Sequence, residues 1–429
     1  MAQGSKAAKR QVMAARDDYI NLSAFPVEIQ HHILSFLPSR DLVQKTCLLA
    51  RGWRNQWKSV PALRISQNIA FQNAHEMHKF VNYLVFLRGQ NPLVECEINF
   101  WHEDETFSYI DLWTRYAMSC NVQNLRIIND ILGIYCPLPD TTLVSDHLTA
   151  LELYRVESAK PLLDFSGCSA LQDLNLRNCT LEVIQILSSS VKRLIIRNCK
   201  FPVDARVRLS VPTLESLNLV VDGSLIPCLD SMPDLVSAFI TIRHEGIDHD
   251  CCKNRFEIGG CTDLSCEGCT HNKGEGNNSL VLEGLSHAMH LKLLTSEVKM
   301  FIFRRDLILC PVFSKLKTLV VDDWCMVANM HALISFLQHS PVLEKLTLIS
   351  QDYEDEVEKE ANYEIAEQPF PSKHLLVEIR CYKISMRMEE NLEVLMTYGV
   401  IPEQIKIHQS SLGNFCSFAS LLSRQVTQA

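Results

Sequence analysis

The stretch LQDLNLRNC, Leu171–Cys179, is answered by VKRLIIRNC, Val191–Cys199. Each has aliphatic residues at its first, fourth and sixth positions and a cysteine at its ninth. Apolar and polar residues alternating at a period of two form a short strand with one buried face. The six-residue core of the pattern recurs as LVECEI from 93, VQNLRI from 122, LTALEL from 148, LESLNL from 214 and LVSAFI from 235. It continues as AMHLKL from 288, LKTLVV from 316, LEKLTL from 343 and LVEIRC from 376. Most steps are of 20 to 30 residues, with one long gap after 240. A single such strand cannot bury its own apolar face, so successive units must stack into one continuous domain.

This period and pattern resemble leucine-rich repeats. The resemblance implies that position nine serves the turn backbone, which makes Cys179 and Cys199 structural. It also implies that residues between the leucines face the concave side of a curved sheet. Those slots hold Arg126, then Glu152 and Tyr154, then Asp173, Asn175 and Arg177, then Arg193 and Arg197. A target-binding stripe of Arg126, Tyr154, Asn175, Arg177, Arg193 and Arg197 is therefore expected. Two readings of its arginines stand. They pair with Glu152 and Asp173 and solubilise the face, or they grip an acidic or phosphorylated target with bidentate guanidinium forks.

Ahead of the repeats lies HHILSFLPSRDLVQKTCLLARGWRNQW, His31–Trp57. Pro26 suits the first turn of a helix. Ile29, Ile33, Leu34 and Leu37 then share one face at three-to-four spacing. Pro38 stops that helix, and Ser39 or Asp41 can cap a second carrying Leu42, Val43, Thr46 and Leu49. Trp53 and Trp57, four apart, share a face of a third short helix. A unit of about forty residues sits near the lower limit for a self-sufficient core, yet it carries more apolar side chains than three short helices bury among themselves. Something else should cover the remainder.

The segment LSAFPVEIQHHILSFLPSRDLVQKTCLLARGWRNQWKSVPAL resembles an F-box of the form common in plant proteins, through Pro26, Ile29, Ile33, Leu34, Leu37, Pro38, Asp41, Leu42, Trp53 and Trp57. The resemblance implies binding to a Skp-type adaptor, and through it to a cullin–RING ubiquitin ligase. The adaptor contact is expected on Phe25, Pro26, Ile29, Ile33, Leu34, Leu37, Pro38 and Leu42, with Trp53 and Trp57 holding the core. At the other end, HLLVEIRCYKISMRMEENLEVLMTYGVIPEQIKI resembles the FBD region found after the repeats in many plant F-box proteins. The three resemblances together cover nearly the whole chain.

The expected fold is α/β: a small N-terminal three-helix F-box, an irregular leucine-rich-repeat solenoid and a C-terminal FBD-like extension. Its expected boundaries are a flexible tail over 1–17, the F-box over 18–62, repeats over 63–350, an acidic loop over 351–368 and the FBD-like region over 369–429. A Cys-rich insert occupies 244–284. There CEGC brings Cys266 and Cys269 to the spacing at which two thiolates meet one zinc ion, and the further ligands can come from Cys252 and Cys261, or from His271. A reduced loop with no metal is the other reading, and no cofactor is otherwise expected.

Across its 429 residues the chain is 47% hydrophobic and carries a formal charge of −9, which suits a folded protein without a broad nucleic-acid surface. No apolar run approaches the length that spans a bilayer, and the N-terminus lacks the apolar core of a signal peptide. The 17 cysteines are then expected reduced. The nucleus is the expected location, with the cytoplasm as alternative. No nucleophile, base and orienter converge in the sequence, so the expected role is non-catalytic. The reading is a substrate receptor of an SCF-type ubiquitin ligase. A non-degradative scaffold and a ligand-sensing repeat protein are the alternatives.

Overall fold

The computed structural model describes residues 24–49, 51–66, 71, 73–100, 106–130, 133–138, 143–202, 205–224, 226–243, 281–295, 310–325, 330–350, 370, 374–382, 386–409 and 415–417. Every repeat pattern found in the sequence forms a strand of one long sheet. In chain order these strands are β1 (Ala62–Ser66), β2 (Glu95–Phe100), β3 (Asn124–Asn129), β4 (Ala150–Tyr154), β5 (Asp173–Arg177), β6 (Arg193–Cys199) and β7 (Ser216–Asp222). They continue as β8 (Ser237–Arg243), β9 (His290–Thr295), β10 (Thr318–Asp322), β11 (Lys345–Ile349), β12 (Leu376–Cys381), β13 (Ile405–Gln409) and β14 (Phe415–Ser417). All neighbours are parallel except β14, which closes the edge antiparallel to β13.

The register aligns the fourth position of every repeat into one buried row, from Leu63 through Leu174 and Leu291 to Ile405. Each such side chain contributes about 1.5–3 kcal/mol when fully withdrawn from water. The register also corrects the repeat count at both ends. Val60, Leu63 and Ile65 occupy the first, fourth and sixth positions of a further repeat, so the sheet begins where the F-box was expected to end. Lys345 pairs with Leu376, which shifts the frame of that repeat two residues back, to His374. β13 adds one more rung, so the FBD-like region carries the sheet on to the C-terminal end.

On the buried side of the sheet, the ends and the middle differ. α3 (Ala74–Arg88) and α4 (Thr106–Ser119) cover the first rungs, and α5 (His331–Gln338) and α6 (Met386–Thr397) the last, α1 (Val27–Leu34) and α2 (Ser39–Leu49) lying in the N-terminal unit. α3 buries Met77, Val81 and Leu84, is capped by the Asn73 side chain accepting the Glu76 N–H at 2.9 Å, and ends at Gly89 with φ of 66°. In the middle, the shorter steps leave no room for three helical turns and two loops. There the return segments form narrow parallel sheets, one over residues 162–164, 185–187, 208–210 and 228–229 and another over 136–137, 156–158 and 180–181.

Cys179 and Cys199 are buried in the turn slot, each thiol against a strand carbonyl of the preceding repeat, Leu153 and Leu176, at 3.5 Å. A hydrogen bond donated to Cys179, together with burial, holds the Cys199 thiol well above its usual pKa. Asn129, at the eighth position of its repeat, is buried at the end of β3, its amide donating to the Ile134 carbonyl at 2.8 Å. β8 and β9 pair directly, Ser237 with His290 through Ile242 with Thr295, so the sheet is unbroken across the Cys-rich insert.

Candidate functional site

The N-terminal unit consists of α1 (Val27–Leu34), α2 (Ser39–Leu49) and two short 3-10 turns, Arg51–Trp53 and Gln56–Ser59, in place of the expected third helix. Its centre is closed by Leu34, Leu42, Trp53 and Trp57, all buried in the same core as the first repeats. Leu34 and Leu42 therefore support the expected docking surface from beneath and do not form it. The reason is geometric: on the short α1, Gln30 and Leu34 are buried, while Ile29 and Ile33 are left exposed on the flank of that face.

The exposed surface of the unit is rich in large apolar side chains. Phe25, Val27, Ile29 and Ile33 are each roughly two-fifths exposed or more, Phe36 is 64% exposed and Leu48 is 86% exposed. Pro26, Leu37 and Pro38 border it, with Leu37 partly packed on the core. The Gln30 amide donates to the Phe25 carbonyl at 2.7 Å and fixes the start of this face. Val27, Phe36 and Leu48 were missed in the sequence; Phe36 lies in the turn beyond the end of α1, where helical spacing assigns no face. Ser39 begins α2 without capping it, and its hydroxyl accepts the Arg64 N–H at 2.9 Å.

The second candidate surface is the solvent-facing side of the sheet. All six expected target-binding residues lie on it, half-buried or exposed on neighbouring strands. Their partners divide them. Arg126 bridges Glu97 at 2.9 Å and Glu152 at 3.0 Å, and Arg64 joins the same row through Glu95 and Glu97. Arg193 is paired with Asp173, its register neighbour. These two arginines follow the pairing reading. Arg177 and Arg197 do not: their Nε atoms donate to Asn175 Oδ1 at 2.9 Å and Asn218 Oδ1 at 3.1 Å, and neither makes an ion pair among the described residues. Tyr154 stands in register beside Arg177.

Cys252, Cys261, Cys266 and Cys269 lie outside the described residues. Among the described residues, no group of three or more His, Cys, Asp or Glu is placed to hold a metal ion, and no helix is long and apolar enough to cross a membrane.

No family model matches the chain. Among curated proteins, a putative F-box/LRR-repeat protein of Arabidopsis thaliana is 30% identical over 204 residues, covering 47% of this chain and 37% of the relative. A putative FBD-associated F-box protein of the same plant is 28% identical over 263 residues, covering 52% of this chain and 60% of the relative. The chain thus spans less than two thirds of the length of both. F-box/LRR-repeat protein 25 of Arabidopsis thaliana is 30% identical over 209 residues, covering 48% of this chain and 69% of the relative. An apolar-faced N-terminal helical unit, a parallel repeat sheet and these relatives agree: the chain belongs to the F-box/LRR-repeat family.

Proposed function

We propose that the chain is the target-recognition subunit of an SCF-type ubiquitin ligase, with its F-box on a Skp-type adaptor and its repeats on a protein to be ubiquitinated. The observation that carries this reading is the open apolar face of Phe25, Ile29, Ile33 and Phe36 above a core already filled by Leu34, Leu42, Trp53 and Trp57. So many large apolar side chains left exposed on one small folded unit mark an interface. The F-box/LRR-repeat family is generally non-catalytic. The role proposed for this chain is accordingly to hold a target near the partner machinery, which is catalysis by proximity.

Target binding is assigned to the solvent-facing stripe of Arg126, Tyr154, Asn175, Arg177, Arg193 and Arg197, and the place of action to the nucleus. The test is co-purification of the tagged chain with a Skp-type adaptor and a cullin, together with the half-life of captured proteins. Adaptor capture that is lost in Ile29→Glu/Phe36→Glu, with slower turnover of the captured partner, supports the reading. Capture with unchanged turnover points to a scaffold instead, and a wild-type chain that captures no adaptor refutes the proposal.

A further inference from the structure

Arg177 and Arg197 are direct register partners on β5 and β6, about 4.8 Å apart at the backbone. Like charges placed opposite one another on adjacent strands are unfavourable, and each of the other stripe arginines has a carboxylate to offset its charge. This pair has only amide oxygens. Asn175 and Asn218 each take one Nε–H, which orients the guanidinium without neutralising it. The remaining Nη donors make no hydrogen bond among the described residues.

The register row around the pair runs Tyr154, Arg177, Arg197, Val220, Thr241. Tyr154 stands beside Arg177 and the buried Val220 beside Arg197. Two positive charges with no carboxylate partner among the described residues thus lie side by side, in a chain whose net charge is −9.

We infer that Arg177 and Arg197 together receive a phosphoryl group carried by the target protein, an inference that rests on the proposed target-receptor role. The charge decides between the two acidic groups a protein target offers. A phosphomonoester carries about −1.5 to −2 at neutral pH and presents three acceptor oxygens. It therefore balances both guanidinium groups and accepts a fork from each. A single carboxylate balances one and leaves the other repelled.

The test uses the purified whole chain and three immobilised peptide pools, degenerate except for a central phosphoserine, serine or glutamate. The phosphoserine pool should retain the protein about tenfold more than either other pool, and Arg177→Gln/Arg197→Gln should abolish that excess. The variant's melting temperature should be unchanged or raised, because the substitution removes a like-charge contact. Equal retention on serine, equal retention on glutamate, or an undiminished phosphoserine excess in the folded variant each overturns the inference. Adaptor capture measured on the same preparations separates the two failures. A wild type that captures the adaptor but shows no phosphoserine excess loses this inference alone, whereas one that captures no adaptor loses the receptor role itself.

Discussion

Arg64 Nε donates to the Ser35 carbonyl at 2.8 Å, so the first strand of the sheet is bonded to the end of the first F-box helix. The same residue donates its backbone N–H to Ser39 Oγ and places Nη2 2.6 Å from Glu95 and Nη1 3.3 Å from Glu97. One side chain thereby joins the F-box to the first two rungs. Arg88 adds a second joint: it is buried, and Nη2 donates to the carbonyls of Val60 and Pro92, both at 3.0 Å. The N-terminal unit and the first strands are thus joined by side-chain bonds as well as by the chain itself, as the proposed receptor role requires.

Arg64→Ala is expected to destabilise the chain by about 2 kcal/mol, since it removes charge-assisted bonds at a half-buried junction and leaves two neighbouring glutamates facing each other. Arg64→Lys should recover less than half of that, because a point ammonium cannot serve Ser35 and two carboxylates together. Chemical denaturation reads both, and a midpoint unmoved by Arg64→Ala contradicts the junction.

Surface and support in the F-box should separate cleanly. Ile29→Glu/Phe36→Glu is expected to keep the wild-type melting temperature and lose adaptor pull-down. Trp57→Ala should instead cost about 3–5 kcal/mol, because Trp57 is buried and its indole N–H bonds the Arg54 carbonyl at 3.0 Å. Retained adaptor binding in a folded Ile29→Glu/Phe36→Glu protein removes the docking assignment.

Deleting 247–276 should leave the melting temperature close to wild type. The strands on either side of the insert already pair in full register, and long surface insertions carry little thermodynamic cost. A large drop in stability, with about one equivalent of zinc in the intact protein, would instead establish a structural metal site on Cys252, Cys261, Cys266 and Cys269.

Asp322 gives a pH-dependent signature. Burial pushes its carboxyl up to about 7, and Asp323 beside it adds to the rise, against the Thr295 N–H that donates to it at 2.7 Å. Between the unfolded value of about 3.9 and the folded value, the native state keeps a proton that the unfolded chain has released. Its contribution to stability is therefore full below that window and lost as pH rises through it. Asp322→Asn retains an acceptor for Thr295 and cannot ionise, so calorimetry should find its melting temperature gaining on wild type from about pH 5 to about pH 8. Parallel profiles for the two proteins would mean that Asp322 is not the titrating group.

The sequence by itself determined the α/β repeat architecture, because a period-two apolar pattern repeated every twenty to thirty residues admits only a stacked parallel sheet. It also identified the F-box segment and the apolar surplus at its front. The terminal rungs were legible in principle, since Val60, Leu63 and Ile65 keep the pattern; they were obscured by the neighbouring resemblances. Only the tertiary structure decided which F-box residues face outward, because only two residues separate Leu34 in the core from Phe36 in solvent and a short amphipathic stretch does not say which of two apolar faces is covered. The same holds for the arginines. Arg126, Arg177, Arg193 and Arg197 are alike in sequence, but register brings carboxylates to Arg126 and Arg193 and amides to Arg177 and Arg197. Charge compensation is a property of neighbouring strands, set by residues twenty or more positions away, and it exists only once the sheet has formed.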